Sequence, residues 1–232
     1  MNDGACSVKR DAGSTLVCFA LKEEAAAFRK RISSRADITI LLTGIGRANA
    51  ERAIRDSLKQ FLPRTVFTCG FAGGLNDRLT IGDVIFASAD ERLSELLKRT
   101  GALPAKFTCT TRIATTAVEK QQLRATTQAD AVEMESEIIQ SVCREHQIPC
   151  ATVRAISDTA QEDLPLDFNA LSNPDQSLNF GKLAWTIMKS PGKIPALRQL
   201  QQNTKFAAER LAQVLEQMIA RTDAVGTQRS RE

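Results

Sequence analysis

Short apolar runs alternate with longer amphipathic stretches along most of the chain. TLVCFAL (15–21), ITILLT (38–43), TVFTCG (65–70) and DVIFAS (83–88) are bounded by polar or glycine-containing segments and read as strands. Between them, a helix starts near Glu23 and another covers RANAERAIRDSLKQFL. Further on, the pattern predicts a helix near 91–99, a strand over KFTCTTRIATT (106–116), a helix near 117–125 and a strand over CATVRAIS (150–157). A helix with Val132, Ile138, Ile139, Val142 and Cys143 as its buried stripe precedes that last strand. This order predicts an α/β fold with helices on both faces of the sheet. Residues 1–14 read as a polar N-terminal extension, 15–220 as a single domain, and 221–232 as a disordered tail.

The helix at 132–143 raises a chemical question. On a 3.6-residue period Glu135 falls on the side of Ile138 and Ile139, whereas Glu133 and Glu137 fall on the polar side with Gln140 and Arg144. An inward carboxylate must be paired or hydrogen-bonded, or its pKa rises. Glu135 is therefore a site candidate, with a bridge to a buried arginine such as Arg154 as the plain alternative.

Composition narrows the possible functions. A chain of 232 residues with 43% hydrophobic content can bury a core of one large domain. The N-terminus MNDGACSVKRDAGS has no long apolar core and no run approaches ~18 apolar residues, so a cytoplasmic protein is expected. The six cysteines contain no CxxC pair, which supports neither a metal site nor a disulfide framework. A net charge of +4 without a basic block, together with 5% aromatics, lacks the stacking-and-groove signature of nucleic-acid binders. A small molecule is the expected partner.

In open α/β sheets ligands collect beyond the carboxyl ends of the strands. The first run leads into Lys22, Glu23 and Glu24; the second and third lead into GIG (44–46) and GFAGGL (70–75), read as glycine turns; the last ends at Ser157 and Asp158. Neither glycine segment matches a dinucleotide or phosphate-loop fingerprint, so no cofactor is expected. Plain roles remain open: Asp158 as a turn or capping residue, Glu23 and Glu24 as first-turn acids. His146, the single histidine, sits near a helix C-terminus and receives no catalytic role.

Taken together, Glu24, TGIG (43–46), GFAGGLNDRLTIGDV (70–84), VEMES (132–136) and VRAISD (153–158) resemble the nucleoside phosphorylase/nucleosidase superfamily, in the pattern of 5'-methylthioadenosine/S-adenosylhomocysteine nucleosidases. The resemblance implies a three-layer α/β/α fold with a central mixed, partly barrel-like sheet, and a homodimer. It implies cleavage of the N-glycosidic bond of an adenine nucleoside modified at its 5' position. Glu135 would grip the ribose hydroxyls with Met134 beneath the sugar. Asp158, steadied by Ser157, would protonate or share a proton with the purine. Glu24 would activate water with help from Arg154, and the backbone of Ala72 and Gly73 would border the base.

Phosphorylases of the superfamily hold phosphate with arginines after the first strand and before the third-strand glycines. Here those places carry Lys22, Glu23 and Glu24, then Thr68 and Cys69. Water is therefore the expected acceptor, because a phosphate beside Glu24 is repelled. A phosphorylase and a non-catalytic nucleoside-binding module remain the alternatives. Two departures mark the pocket: Phe71 replaces a serine that helps hold the water, and Ile113 in TTRIAT (110–115) replaces an aromatic wall for the base. VRAISDTAQEDLP and SPGKIPALRQL also resemble a hopanoid-associated branch that acts on adenosylhopane. With that reading goes a peripheral membrane contact, through Phe180, Leu183, Ala184, Trp185, Ile187 and Met188 ringed by Lys182, Lys189, Lys193 and Arg198. The alternative is a core helix.

Overall fold

The computed structural model describes residues 14–171, 173, 185, 188–229. Eight strands form one mixed sheet. They are β1 (Thr15–Phe19), β2 (Ile38–Leu42), β3 (Thr65–Gly74), β4 (Val84–Ser88), β5 (Leu103–Pro104), β6 (Phe107–Cys109), β7 (Ala131–Glu133) and β8 (Cys150–Asp158). The helices are α1 (Lys22–Arg31), α2 (Arg47–Gln60), α3 (Glu91–Lys98), α4 (Ala117–Thr127), α5 (Ser136–Glu145) and α6 (Ile194–Arg229). The strand order is β2-β1-β3-β8-β4-β5, with β7 joined to β3 and β6 joined to β7. The pairs β1–β2, β1–β3 and β3–β8 are parallel, so four strand ends point the same way, while β4 runs against β8 and β7 against β3, with β5 parallel to β4 and β6 parallel to β7.

Two apolar layers hold the helices on the sheet. On one face Val17, Phe19, Phe67, Val153 and Phe86 pack against Phe28 of α1, Leu97 of α3 and the Ala207–Ile219 side of α6. On the other, Leu16, Cys18 and Val66 meet Ile54 and Leu58 of α2 and Ile138, Ile139 and Val142 of α5. The period-2 alternation of β1 feeds both layers, which gives the three-layer arrangement.

Three expectations need correcting. GFAGG is strand rather than turn: β3 continues through Gly74 because β8 accompanies it as far as Gly73 opposite Asp158. The strand read over 106–116 stops at Cys109, since Cys109 opposite Glu133 is its last partner on β7. The helix read from Val132 begins only at Ser136, because pairing of Val132 with Gly73 and Ala131 with Gly74 draws 131–133 into the sheet. In addition, α6 runs on to Arg229, into the stretch read as a disordered tail; a helix already nucleated extends cheaply through such residues. Most of the segment assigned to membrane contact lies outside the described residues. Of that set, Trp185 and Met188 are exposed, and Lys189 Nζ lies 4.6 Å from the Trp185 ring centroid. Among the described residues no helix is long and apolar enough to cross a membrane.

Candidate active site

The carboxyl ends of β1, β3 and β8 open on a cavity of about 290 Å³. Glu24, Phe71, Ala72, Gly73, Ile113, Met134, Glu135, Ser157 and Asp158 all line it. Arg154 is the one residue of the sequence-derived set that does not; it lies behind the wall, only 2% exposed. A bulge explains how two consecutive residues face the same space. Ala72 pairs with Ile156 and Gly73 with Asp158, so Ser157 is an extra residue on β8 that re-aims the strand end.

Glu24 sits in the first turn of α1. Its Oε2 accepts from the backbone N–H of Leu21 (3.0 Å) and its Oε1 from that of Phe71 (2.9 Å), which ties the helix start to β3. Gly70 makes this possible: with φ at 149°, a Cβ there would come within 2.6 Å of Glu24 Oε1. Burial pushes the Glu24 carboxyl above its usual range, against the opposing pull of the Phe71 N–H and of Arg154. A base poised nearer neutrality is better suited to take a proton from water.

Glu135 is the residue before α5, not a member of its buried stripe. Its Oε1 accepts from the N–H of Gly46 (2.7 Å), the residue before α2, with φ at 87°. Its Oε2 lies 3.9 Å from Arg154 Nη2, beyond hydrogen-bond length. Burial raises its carboxyl to about 7, with Arg154 opposing and Glu133 adding to the shift.

Glu133, read as a solvated charge, is buried and is the main partner of Arg154. Its Oε2 accepts from Arg154 Nη2 (2.6 Å) and from the N–H groups of Glu135 (3.0 Å) and Ser136 (2.8 Å). Its Oε1 accepts from Ser136 Oγ (2.7 Å) and from Cys109 Sγ. Glu133 therefore caps α5 from inside the strand that precedes it. Burial alone would raise its carboxyl, but Arg154 and these donors outweigh that and hold it below the usual range. Arg154 Nη2 also donates to Thr68 Oγ1 (3.2 Å), while its Nε and Nη1 are buried without a hydrogen-bond partner. Arg154 acts on the site through its charge, which favours the ionised forms of Glu24 and Glu135.

Asp158 does not stand alone either. Its Oδ1 accepts from Ser157 Oγ (2.7 Å), and its Oδ2 lies 2.6 Å from Nζ of Lys120, a lysine of α4 that the sequence reading passed over. Gly73 passes close by: a Cβ on it would lie 3.2 Å from Asp158 Oδ2. Ile113, another lining residue, is held by Asn169, whose Oδ1 accepts from Ile113 N–H (2.8 Å) and whose Nδ2 donates to Ile113 C=O (2.9 Å). Leu21, Ile45, Arg112, Leu164, Phe168 and Leu200 complete much of the lining and were also missed, because they are scattered over separate elements and loops. His146 ends α5, exposed and away from the cavity lining.

The phosphorylase superfamily model matches residues 22–107 and 86–189, which spans every strand from β2 to β8. The chain belongs to the phosphorylase superfamily. Among members of that superfamily, it is 26% identical over 168 residues to the 5'-methylthioadenosine/S-adenosylhomocysteine nucleosidase of Shewanella sediminis, covering 57% of this chain and 73% of that one. It is 29% identical over 167 residues to the enzyme of the same name from Glaesserella parasuis, with the same two coverages, 57% and 73%. Futalosine hydrolase of Helicobacter pylori strain 26695 superposes with a TM-score of 0.70 at 16% identity, over 90% of this chain and 99% of that one. The 5'-methylthioadenosine/S-adenosylhomocysteine nucleosidase from Helicobacter pylori, solved with butyl-thio-DADMe-Immucillin-A, gives 0.70 at 16% identity over 90% and 98%. These superpositions establish the three-layer fold with its mixed eight-stranded sheet.

The raised carboxyl of Glu135 has a measurable consequence. A group whose pKa is about 7 folded and 4.5 unfolded binds more protons in the native state, so its contribution to stability falls as pH rises from about 4.5 to about 7. The full shift corresponds to roughly 3 kcal/mol. Stability of the free protein, measured by denaturant titration at pH 4.5 and 7.5, is expected to show this loss relative to Glu135→Gln, which cannot titrate. Parallel pH curves for the two proteins would contradict it.

Proposed function

We propose that the chain is a nucleosidase that hydrolyses the N-glycosidic bond of a purine nucleoside, releasing adenine and a free ribosyl sugar. The observation that carries this reading is the seating of Glu24. Its carboxylate takes the N–H groups of Leu21 and Phe71 at the start of α1, the place where an anion would otherwise be held. A phosphate there would meet a buried negative charge instead of donors.

Cleavage leaves positive charge on the sugar and electrons on the departing base. Water adds to the anomeric carbon and gives its proton to Glu24. The electron pair of the glycosidic bond moves into the purine, which takes a proton from solvent on its ring nitrogen as it leaves; Glu24 returns the water's proton to solvent, so protons balance and the net reaction consumes one water. Glu135 accepts from the ribose hydroxyls and, once ionised against them, faces the developing charge. Met134 packs at the sugar, Ala72, Gly73 and Ile113 bound the base, and Asp158 with Ser157 takes its polar edge. Arg154, paired with Glu133, acts on Glu24 and Glu135 from behind through its charge.

The substrate's 5' group is a finer part of the proposal. Ile45, Leu164, Phe168 and Leu200 contribute apolar wall to the cavity. That wall fits a methylthio or homocysteinyl group. With the exposed Trp185 and Met188 upstream of α6, it also supports an adenosylhopane-type lipid nucleoside. Homodimerisation and a cytoplasmic location belong to the same proposal. The test is a panel of methylthioadenosine, S-adenosylhomocysteine and a lipid-bearing adenine nucleoside, with and without inorganic phosphate. Adenine and free sugar at rates independent of phosphate are expected. A sugar 1-phosphate as main product would make the chain a phosphorylase, and base binding without release would make it a binding module.

A further inference from the structure

Lys120 is, among the described residues, the sole lysine in the buried set, with 0% exposure. Its Nζ donates to Thr159 C=O (2.7 Å) and Glu162 C=O (2.8 Å) and lies 2.6 Å from Asp158 Oδ2. An ammonium carries three hydrogens and here meets three acceptors; a neutral amine would leave one of the three without a donor. Asp158 Oδ1 in turn takes the hydroxyl hydrogen of Ser157, whose other acceptor, Ala72 C=O, is farther away at 3.4 Å. Both Asp158 oxygens therefore accept within the protein, and whatever they offer to the cavity is again an acceptor.

We propose that Lys120 is a positioning residue that sets base selectivity. By holding Asp158 as an acceptor-only carboxylate, it commits the site to a purine that presents N–H groups on that edge, a 6-aminopurine protonated at its neighbouring ring nitrogen. A 6-oxopurine turns carbonyl lone pairs toward the same oxygens and is rejected. This rests on the nucleosidase reading, in which Asp158 takes the base edge. It also changes the sequence-derived role of Asp158: it stabilises a protonated base and does not itself carry the proton in. Sites built around a specific hydrogen bond reject analogues that cannot make it by large factors, on the order of 10² or more.

The test compares adenosine with inosine, and free adenine with free hypoxanthine, in the wild type, Lys120→Met and Lys120→Arg. Wild-type protein is expected to favour the amino compounds by about 100-fold in kcat/KM and in base affinity. Lys120→Met should cut that ratio to about 10-fold or less, with Lys120→Arg restoring most of it, because arginine keeps the charge against Asp158. A ratio unchanged in Lys120→Met, with both rates reduced alike, would show a purely structural clamp and overturn the proposal. Because Lys120→Met also strips the carbonyls of Thr159 and Glu162 of a donor, Asp158→Asn provides a second test that keeps Lys120. There Lys120 pins the amide oxygen and leaves the NH₂ group for the base, so affinity should shift toward hypoxanthine by about 10-fold or more. No shift would count against the proposal. If the wild type releases base from no nucleoside, the nucleosidase reading fails, and the two base affinities still decide the role of Lys120.

Discussion

Asp158→Asn is expected to lower adenine release by about 10³-fold in single-turnover measurements while leaving nucleoside affinity within about tenfold. The replacement keeps the size of the side chain and an acceptor for Lys120, so the β8 bulge and the loop held by Lys120 have no reason to move. What is lost is the negative charge beside a base that gains a proton as its bond to the sugar breaks. That charge matters most in the transition state, which is why the rate should fall and the affinity should not. The opposite pattern, weak binding with unchanged turnover at saturation, would remove Asp158 from the chemistry. A variant that melts well below the wild type would instead show that the Lys120–Asp158 pair is chiefly a structural tie, since breaking a buried ion pair costs about 3–5 kcal/mol.

The fold was largely legible because β1, β2, β4 and β8 announce themselves as short apolar runs, and their alternation with amphipathic helices leaves few arrangements. Boundaries failed where a partner strand, not local pattern, decides the backbone. Residues 131–133 carry a helical-looking period, but β3 claims them as a strand. That one displacement also reversed the reading of Glu133, since a residue placed on the polar side of a helix is in fact on a strand and buried. Glu135 points inward as expected, but because it precedes α5 and receives the Gly46 N–H. Glu24 and Asp158 could be found from position alone, because each follows or ends a strand whose carboxyl end faces the ligand side. Lys120 could not. Its place in EKQQLR looks like an exposed helical charge, and only the return of residues 158–162 over α4 gives its ammonium three acceptors. The general signal is weak: a lysine on a helix is normally solvated.

Glu24→Gln is expected to reduce hydrolysis by about 10²–10⁴-fold, with adenine affinity little changed. Glutamine keeps one oxygen to accept from Leu21 or Phe71, but its NH₂ group opposes the other backbone donor and cannot take a proton from water. The loss should therefore fall on kcat. The same substitution removes the charge that repels phosphate from the start of α1. Since Thr68 and Cys69 supply no cation to hold it, phosphate is still expected not to restore turnover. Formate or azide is the informative additive: a small anion that enters beside the introduced amide can act as the missing base or as the nucleophile, and partial recovery of adenine release would place the defect at proton removal. Retention of wild-type turnover in Glu24→Gln would remove Glu24 as general base, leaving it as a tie between α1 and β3. Appearance of sugar 1-phosphate in the variant alone would show that the carboxylate of Glu24 is what separates hydrolysis from phosphorolysis in this pocket.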